Sequence, residues 1–138
     1  MENIERHSIL IVDDDKSHLN VLAHILRREY MVYTARSGKT GIEIATEYVP
    51  DLILLDVIMP EMDGYAVISE FKSSEKTKNI PVIFVTALTG KEDMEKGIIM
   101  GAADYIPKPL NAASVREKVN SYINSARASS TAQKRDGG

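Results

Sequence analysis

The sequence predicts a doubly wound α/β domain in which a five-stranded parallel sheet carries five helices, packed on both faces. Three observations predict it. Short runs of Ile, Val and Leu alternate along the chain with segments of helical periodicity. The inner runs are continuously apolar, the pattern of strands covered on both sides. Single strands alternating with single helices require right-handed crossovers, which place helices on both faces.

Each element has its own signal. Ser8–Val12 reads as a buried strand. Lys16–Glu29 follows with Leu19, Leu22, Ala23, Ile25 and Leu26 on one helical stripe, and Asp15 is its expected N-cap. Met31–Ala35 is a second short strand, and Gly41–Tyr48 a helix stopped before Pro50. Asp51–Leu55 is uniformly apolar after its first residue and is expected to be central. A loop from Val57 to Gly64 leads into a helix over Tyr65–Lys72, with Ala66, Val67, Ile68 and Phe71 apolar. Ser73–Asn79 is a polar connector, and Ile80–Val85 the fourth strand. Lys91–Met100 is a helix weakened by Gly97 inside it, with Gly101 as its stop. Asp104–Ile106 is a short fifth strand and Ala112–Ile123 the last helix. Ala126–Gly138 shows no apolar periodicity and reads as linker or disordered tail. The expected organisation is an N-terminal extension over 1–7, one domain over 8–124, and a flexible tail or truncated linker over 125–138.

Composition narrows the chemistry. A chain of 138 residues supports one domain with one core. There is no cysteine, which removes disulfide scaffolds, cysteine-ligated metals and cysteine nucleophiles. No apolar run reaches the length of a transmembrane helix and the N-terminus lacks a signal-peptide core, so no membrane insertion and a cytoplasmic location are expected. The formal charge is −3, yet the segment after Ile123 is net basic, so the body is more acidic than the whole. An acidic body argues against direct nucleic-acid binding, which leans on phosphate neutralisation.

The apolar runs stop on residues with chemistry. Ile9-Leu10-Ile11-Val12 leads into Asp13 and Asp14, and Leu52-Ile53-Leu54-Leu55 into Asp56. Val82-Ile83-Phe84-Val85 leads into Thr86, and Tyr105-Ile106-Pro107 into Lys108. Carboxyl ends of parallel strands share one crevice, where ligands bind. Three carboxylates packed together repel unless a cation or proton intervenes, so Asp13, Asp14 and Asp56 should attract a hard divalent ion such as Mg²⁺. A carboxylate can also act as a nucleophile toward phosphorus, and Asp56, on the most apolar strand, is the candidate. Lys108 would neutralise phosphoryl charge as a point charge, and the Thr86 hydroxyl would hydrogen-bond a phosphoryl oxygen. Blander readings are weaker. Helix capping alone explains Asp13-Asp14-Asp15 but not Asp56 and Lys108. Ser37-Gly38-Lys39-Thr40 suggests a phosphate-binding loop, but Tyr33 stands where that motif needs glycine, so Lys39 reads as a solvated helix-start residue. His7, His18 and His24 show no metal-ligand spacing with the acids and read as surface histidines.

Taken in order, five segments make the chain resemble the receiver domain of a bacterial two-component response regulator over Ile9–Ile123. They are Ile11–Asp14, Leu54–Gly64, Val85-Thr86-Ala87, Gly101–Tyr105 and Lys108-Pro109. The resemblance implies a flavodoxin-like sheet of order 2-1-3-4-5. It implies that Asp56 accepts a phosphoryl group from a sensor histidine kinase or a histidine phosphotransfer protein. Asp13, Asp14, Asp56 and the backbone carbonyl of Ile58 would hold Mg²⁺, with Mn²⁺ or Ca²⁺ as substitutes, and Lys108 would contact the phosphoryl group. Thr86 and Tyr105 would form a switch pair that remodels the face made by the fourth helix, fifth strand and fifth helix. A homodimer through that face is expected, and a cis peptide between Lys108 and Pro109. Self-phosphorylation and slow self-dephosphorylation would be the only chemistry.

The chain departs from the family's pattern in places. Pro107 stiffens the end of the last strand, and Leu110 stands where phenylalanine is common. Ile58 and Leu88, two residues after Asp56 and Thr86, are apolar where the family gates the hydrolytic water, which implies a comparatively long-lived phosphoryl group. Two other functions compete. A haloacid dehalogenase-type phosphatase would place an Asp where Ile58 stands. A flavin-binding flavodoxin-like protein fits the sheet but not an acidic cluster. The segment after Ile123 is short for an output domain, so either a single-domain regulator or the receiver of a longer protein is expected. Ala103-Asp104-Tyr105-Ile106 resembles receivers fused to cyclic-di-GMP enzymes or sensor kinases.

Overall fold

The computed structural model describes residues 6–137, with side chains described to residue 125. The elements are β1 (Ser8–Val12), α1 (Lys16–Leu26), β2 (Met31–Ala35), α2 (Gly38–Tyr48) and β3 (Leu52–Leu55). They continue as α3 (Gly64–Ser73), β4 (Val82–Thr86), α4 (Lys91–Ile99), β5 (Asp104–Pro107) and α5 (Ala112–Gly137). The sheet has the order β2-β1-β3-β4-β5, and every neighbouring pair is parallel. The doubly wound fold expected from the sequence is the fold observed.

Side chains alternating across each strand build two cores. Leu10 and Val12 of β1, Ile53 and Leu55 of β3, and Val82 and Phe84 of β4 pack on one face with Ala45, Val67, Ile68 and Phe71 from α2 and α3. Ile9 and Ile11, Leu52 and Leu54, and Ile83 and Val85 face the other way, toward Leu19, Leu22 and Leu26 of α1 and Val115, Val119 and Ile123 of α5. Burial on both faces is why the runs Ile9–Val12, Leu52–Leu55 and Val82–Val85 are continuously apolar.

Element ends differ from the sequence reading where hydrogen bonds, rather than periodicity, set them. Helix α2 starts at Gly38, three residues before the expected Gly41, because the Ser37 side chain accepts from the Thr40 amide at 3.1 Å. Lys39 is exposed in that first turn. Helix α1 stops at Leu26, and Arg27–Glu29 form a turn. Asp15 caps α1 as expected, accepting from the Ser17 and His18 amides. Gly101 has a φ of 110°, the left-handed region that ends α4 at no steric cost. The helical backbone of α5 runs on to Gly137, past Ile123 where its apolar stripe ends. The reading of 126–138 as linker or disordered tail falls on residues whose side chains lie outside those described.

Candidate functional site

The parallel ladder runs one step beyond the strands, and that step fixes the site. The Asp13 amide donates to the Ala35 carbonyl at 3.0 Å, Asp56 to Val12 at 2.9 Å, and Lys108 to Thr86 at 3.0 Å. Three chemistry-bearing residues from three strand ends are thereby held at one edge. Asp13 and Asp56 are 1% and 6% exposed, so their charges sit largely out of water. Asp13, Asp14 and Asp56 each offer a carboxylate oxygen, and these oxygens lie within 4.8 Å of one another.

Each of the two buried carboxylates divides its oxygens between a local and a distant partner. Asp13 Oδ1 accepts from the Asp15 amide at 2.9 Å, and Asp56 Oδ1 from the Ile58 amide at 3.3 Å. Their Oδ2 atoms face the Lys108 ammonium, at 3.1 Å and 3.4 Å. Burial, followed by repulsion from Asp13, pushes the Asp56 carboxyl above the ordinary carboxylate range, with Lys108 offsetting part of the rise. A group so disposed stabilises added positive charge. Arg36 donates to the backbone carbonyl of Asp14 at 3.2 Å and 3.4 Å, tying the loop that carries Asp14 to the end of β2.

Other residues marked from the sequence lie around this cluster rather than in it. Thr86 is fully buried at the end of β4, and its Oγ1 accepts from the Leu88 amide at 3.0 Å. Tyr105 is buried on the α4 side, and its hydroxyl donates to the carbonyls of Asp93 at 2.9 Å and Met94 at 3.2 Å. Its ring lies 5.6 Å from that of Phe84, which in turn lies 5.6 Å from Tyr65. Gly97 makes the inward ring position possible, because a Cβ there would stand 1.7 Å from the Tyr105 hydroxyl. The sequence reading treated Gly97 only as a weakness in α4, whereas its role is tertiary. Ile58 projects into solvent, 57% exposed, and Leu88 packs against the α2/α3 core. The peptide between Lys108 and Pro109 is cis.

One neighbour was missed. His18 is not a detached surface histidine: its Nδ1 lies 2.9 Å from Lys108 Nζ and 3.3 Å from Asp13 Oδ2. It sits in the first turn of α1, directly after the acidic loop, so position rather than any motif marks it.

A doubly wound parallel sheet with a carboxylate cluster and a lysine at its strand ends defines the class of the site. The comparisons narrow the class. The family model for the response regulator receiver domain matches residues 9–120, and the chain belongs to that family. Phosphorylation-dependent switching in two-component signalling is the family's general property, and its members are typically not enzymes in their own right. The chain is 39% identical over 127 residues to the "Probable cyclic di-GMP phosphodiesterase" of Vibrio cholerae serotype O1, covering 92% of this chain and 29% of that protein. It is 34% identical over 120 residues to the polar-differentiation response regulator DivK of Brucella ovis, covering 86% of this chain and 98% of that one. The chemotaxis protein CheY4 of Vibrio cholerae superposes with a TM-score of 0.82 at 27% identity, over 85% of this chain and 98% of that one. Among the described residues no helix is long and apolar enough to cross a membrane.

Proposed function

We propose that this chain is a phosphorylation-activated switch in which Asp56 is the phosphoacceptor. The observation that carries the reading is the juxtaposition at the strand ends: a buried Asp56 within a three-carboxylate cluster and 3.4 Å from a lysine. An Asp56 oxygen attacks the phosphorus of a phosphohistidine on a sensor histidine kinase or histidine phosphotransfer protein. The new bond is O–P, the broken bond is P–N, and the imidazole leaves with its electron pair. Lys108 bears on the transferred group's negative charge, and the Thr86 hydroxyl turns from the Leu88 amide to bond a phosphoryl oxygen. Carboxylate oxygens of Asp13, Asp14 and Asp56 are hard donors that fit Mg²⁺, with Mn²⁺ or Ca²⁺ as substitutes and the Ile58 carbonyl as a further ligand. When bound there, the cation supplies charge neutralisation for the cluster and the incoming group.

Movement of Thr86 opens space beside Phe84, and Tyr105, the second member of the switch pair, reads it. The α4-β5-α5 face is the surface this pair controls, through a homodimer, an attached output domain or a separate target. Relatives of both architectures, nearly whole-length and partial, support leaving the output open. A cytoplasmic setting, where kinases of this class present their phosphohistidine, and no direct nucleic-acid contact complete the reading. A phosphatase of the haloacid dehalogenase type is disfavoured by the exposed aliphatic Ile58 at its acid/base position.

The deciding experiment incubates the full chain with MgCl₂ and acetyl phosphate and reads the intact mass. A gain of one phosphoryl that needs the cation and vanishes in Asp56→Ala is expected. A gain that persists in Asp56→Ala would move the acceptor elsewhere. The apolar pair Ile58 and Leu88 should orient water poorly, so Ile58→Asn or Leu88→Glu is expected to shorten the phosphoryl lifetime. Decay rates equal to wild type would remove that part of the proposal.

A further inference from the structure

We propose that Tyr65 is a positioning residue for α4, a second tether that ties the loop behind Asp56 directly to that helix. For its use in signalling the inference rests on the phosphoacceptor reading, and it adds a side chain that the reading leaves idle. Helix α4 has little to hold it. Among the described residues no side chain caps its start at Gly90, and Gly97 is its one buried residue. Met100, just past its end, packs against the α2/α3 core, so its first turns depend on contacts from other elements. Two tyrosine hydroxyls supply them, and both point at one atom. The Asp93 carbonyl oxygen lies 2.9 Å from the Tyr105 hydroxyl and 3.5 Å from that of Tyr65. Tyr105 has a single hydroxyl hydrogen and also reaches the Met94 carbonyl at 3.2 Å, so it satisfies one carbonyl at a time. A contact of 3.5 Å is long for a hydroxyl donor. Tyr65 therefore stands in reserve, closing on Asp93 when Tyr105 turns to Met94 or leaves.

The ring of Tyr65 is gripped as well. Its centroid lies 4.2 Å from the Lys96 ammonium of α4, and the ring meets that of Phe84 in β4 edge-on, at 5.6 Å and 77°. The side chain is thus clasped between the sheet and α4. Its backbone is fixed from the other side. Gly64 donates to the Val57 carbonyl at 2.8 Å and sits so close to Asp56 that a Cβ would stand 2.4 Å from its carbonyl oxygen. A shift at the Asp56 end of β3 is passed through Gly64 to the next residue, Tyr65, and from its ring to α4. That route does not pass through Thr86 or Tyr105.

The test is a double-mutant cycle on the full chain: wild type, Tyr65→Phe, Tyr105→Phe and the pair. Phenylalanine keeps each ring and removes only the hydroxyl. Amide hydrogen exchange over Lys91–Ile99 is followed by NMR without a phosphodonor, with α1 as internal reference. Each single variant is expected to speed α4 exchange by at most about two-fold, because the other hydroxyl takes over. The pair is expected to exceed the product of the singles roughly five-fold, the size of one neutral hydrogen bond. A pair equal to that product, or an acceleration shared in full by α1, overturns the proposal. The second arm adds MgCl₂ and acetyl phosphate to Tyr105→Phe and follows the Tyr65 ring signals against those of Tyr33 and Tyr48. The Tyr65 signals are expected to move. Fixed signals on a chain shown by mass to carry one phosphoryl group overturn the second route. A chain that takes no phosphoryl group defeats the phosphoacceptor reading, while the exchange cycle still decides the tether.

Discussion

Asp56 is held where its own charge is disfavoured. Burial and Asp13 raise its proton affinity above that of the unfolded chain, and Lys108 compensates in part. A carboxyl with a raised folded value costs stability as pH climbs from the ordinary carboxylate range through that raised value, and above it the cost is complete. Asp56→Asn, uncharged and of equal size, is therefore expected to raise the thermal midpoint of the metal-free protein at neutral pH. The gain should shrink as pH falls into the ordinary carboxylate range. A midpoint lowered at every pH would mean that the Lys108 pairing outweighs the burial. Gly97 poses a steric question instead. Alanine would favour the α4 helix but would meet the Tyr105 hydroxyl and a Phe84 ring carbon at 3.0 Å. Gly97→Ala is expected to turn Tyr105 outward, seen as greater exposure of its ring to a paramagnetic cosolute in NMR. An unchanged ring would place the slack elsewhere.

Helix α3 begins hard against the end of β3. A Cβ on Gly64 would stand 2.4 Å from the Asp56 carbonyl oxygen and 2.7 Å from Val57 Cα, both backbone atoms that cannot step aside. Gly64→Ala is expected to cost about 1–3 kcal/mol by denaturant unfolding, as overpacking does. An alanine variant of wild-type stability would mean that α3 slides freely along β3. At this scale the sequence was most readable where local pattern and tertiary burial agree. The inner strands carry continuous apolar runs because both faces are covered, so Asp13, Asp56, Thr86 and Lys108 could be placed at one edge from topology alone. Helix starts were less readable, because Ser37 caps α2 ahead of any apolar residue. His18 was unreadable for a different reason. Its contact with Lys108 spans 90 residues of chain, and a single histidine on a half-exposed helix turn carries no spacing that announces it. Gly97 misled in the same way, since its local cost in a helix is visible in the sequence and the ring it accommodates is not.

Across the whole molecule, binding of a cation by the three carboxylates would be linked to folding, because they come from two separate strand ends and meet only in the folded chain. A ligand of the native state alone stabilises by mass action, about 2.7 kcal/mol at a concentration of about 100 times its Kd. MgCl₂ is expected to raise the thermal midpoint of wild type and to act much less on Asp13→Asn. Equal responses in the two proteins would place any bound ion outside the cluster. The sheet's two edges also differ in a way that bears on observation. At the β2 edge, Tyr33 and Tyr48 stack at 4.9 Å and 18°. At the β5 edge, Tyr65 and Tyr105 flank Phe84 beneath α4. The chain has no tryptophan to mask them. Aromatic rings fixed among chiral neighbours give near-ultraviolet circular dichroism, so these two groups, beside the buried Tyr30 and the hydrogen-bonded Tyr122, are built-in optical labels. A spectrum altered only in the contribution of the β5 flank, with the β2 stack as internal standard, would report rearrangement beneath α4 without any attached dye.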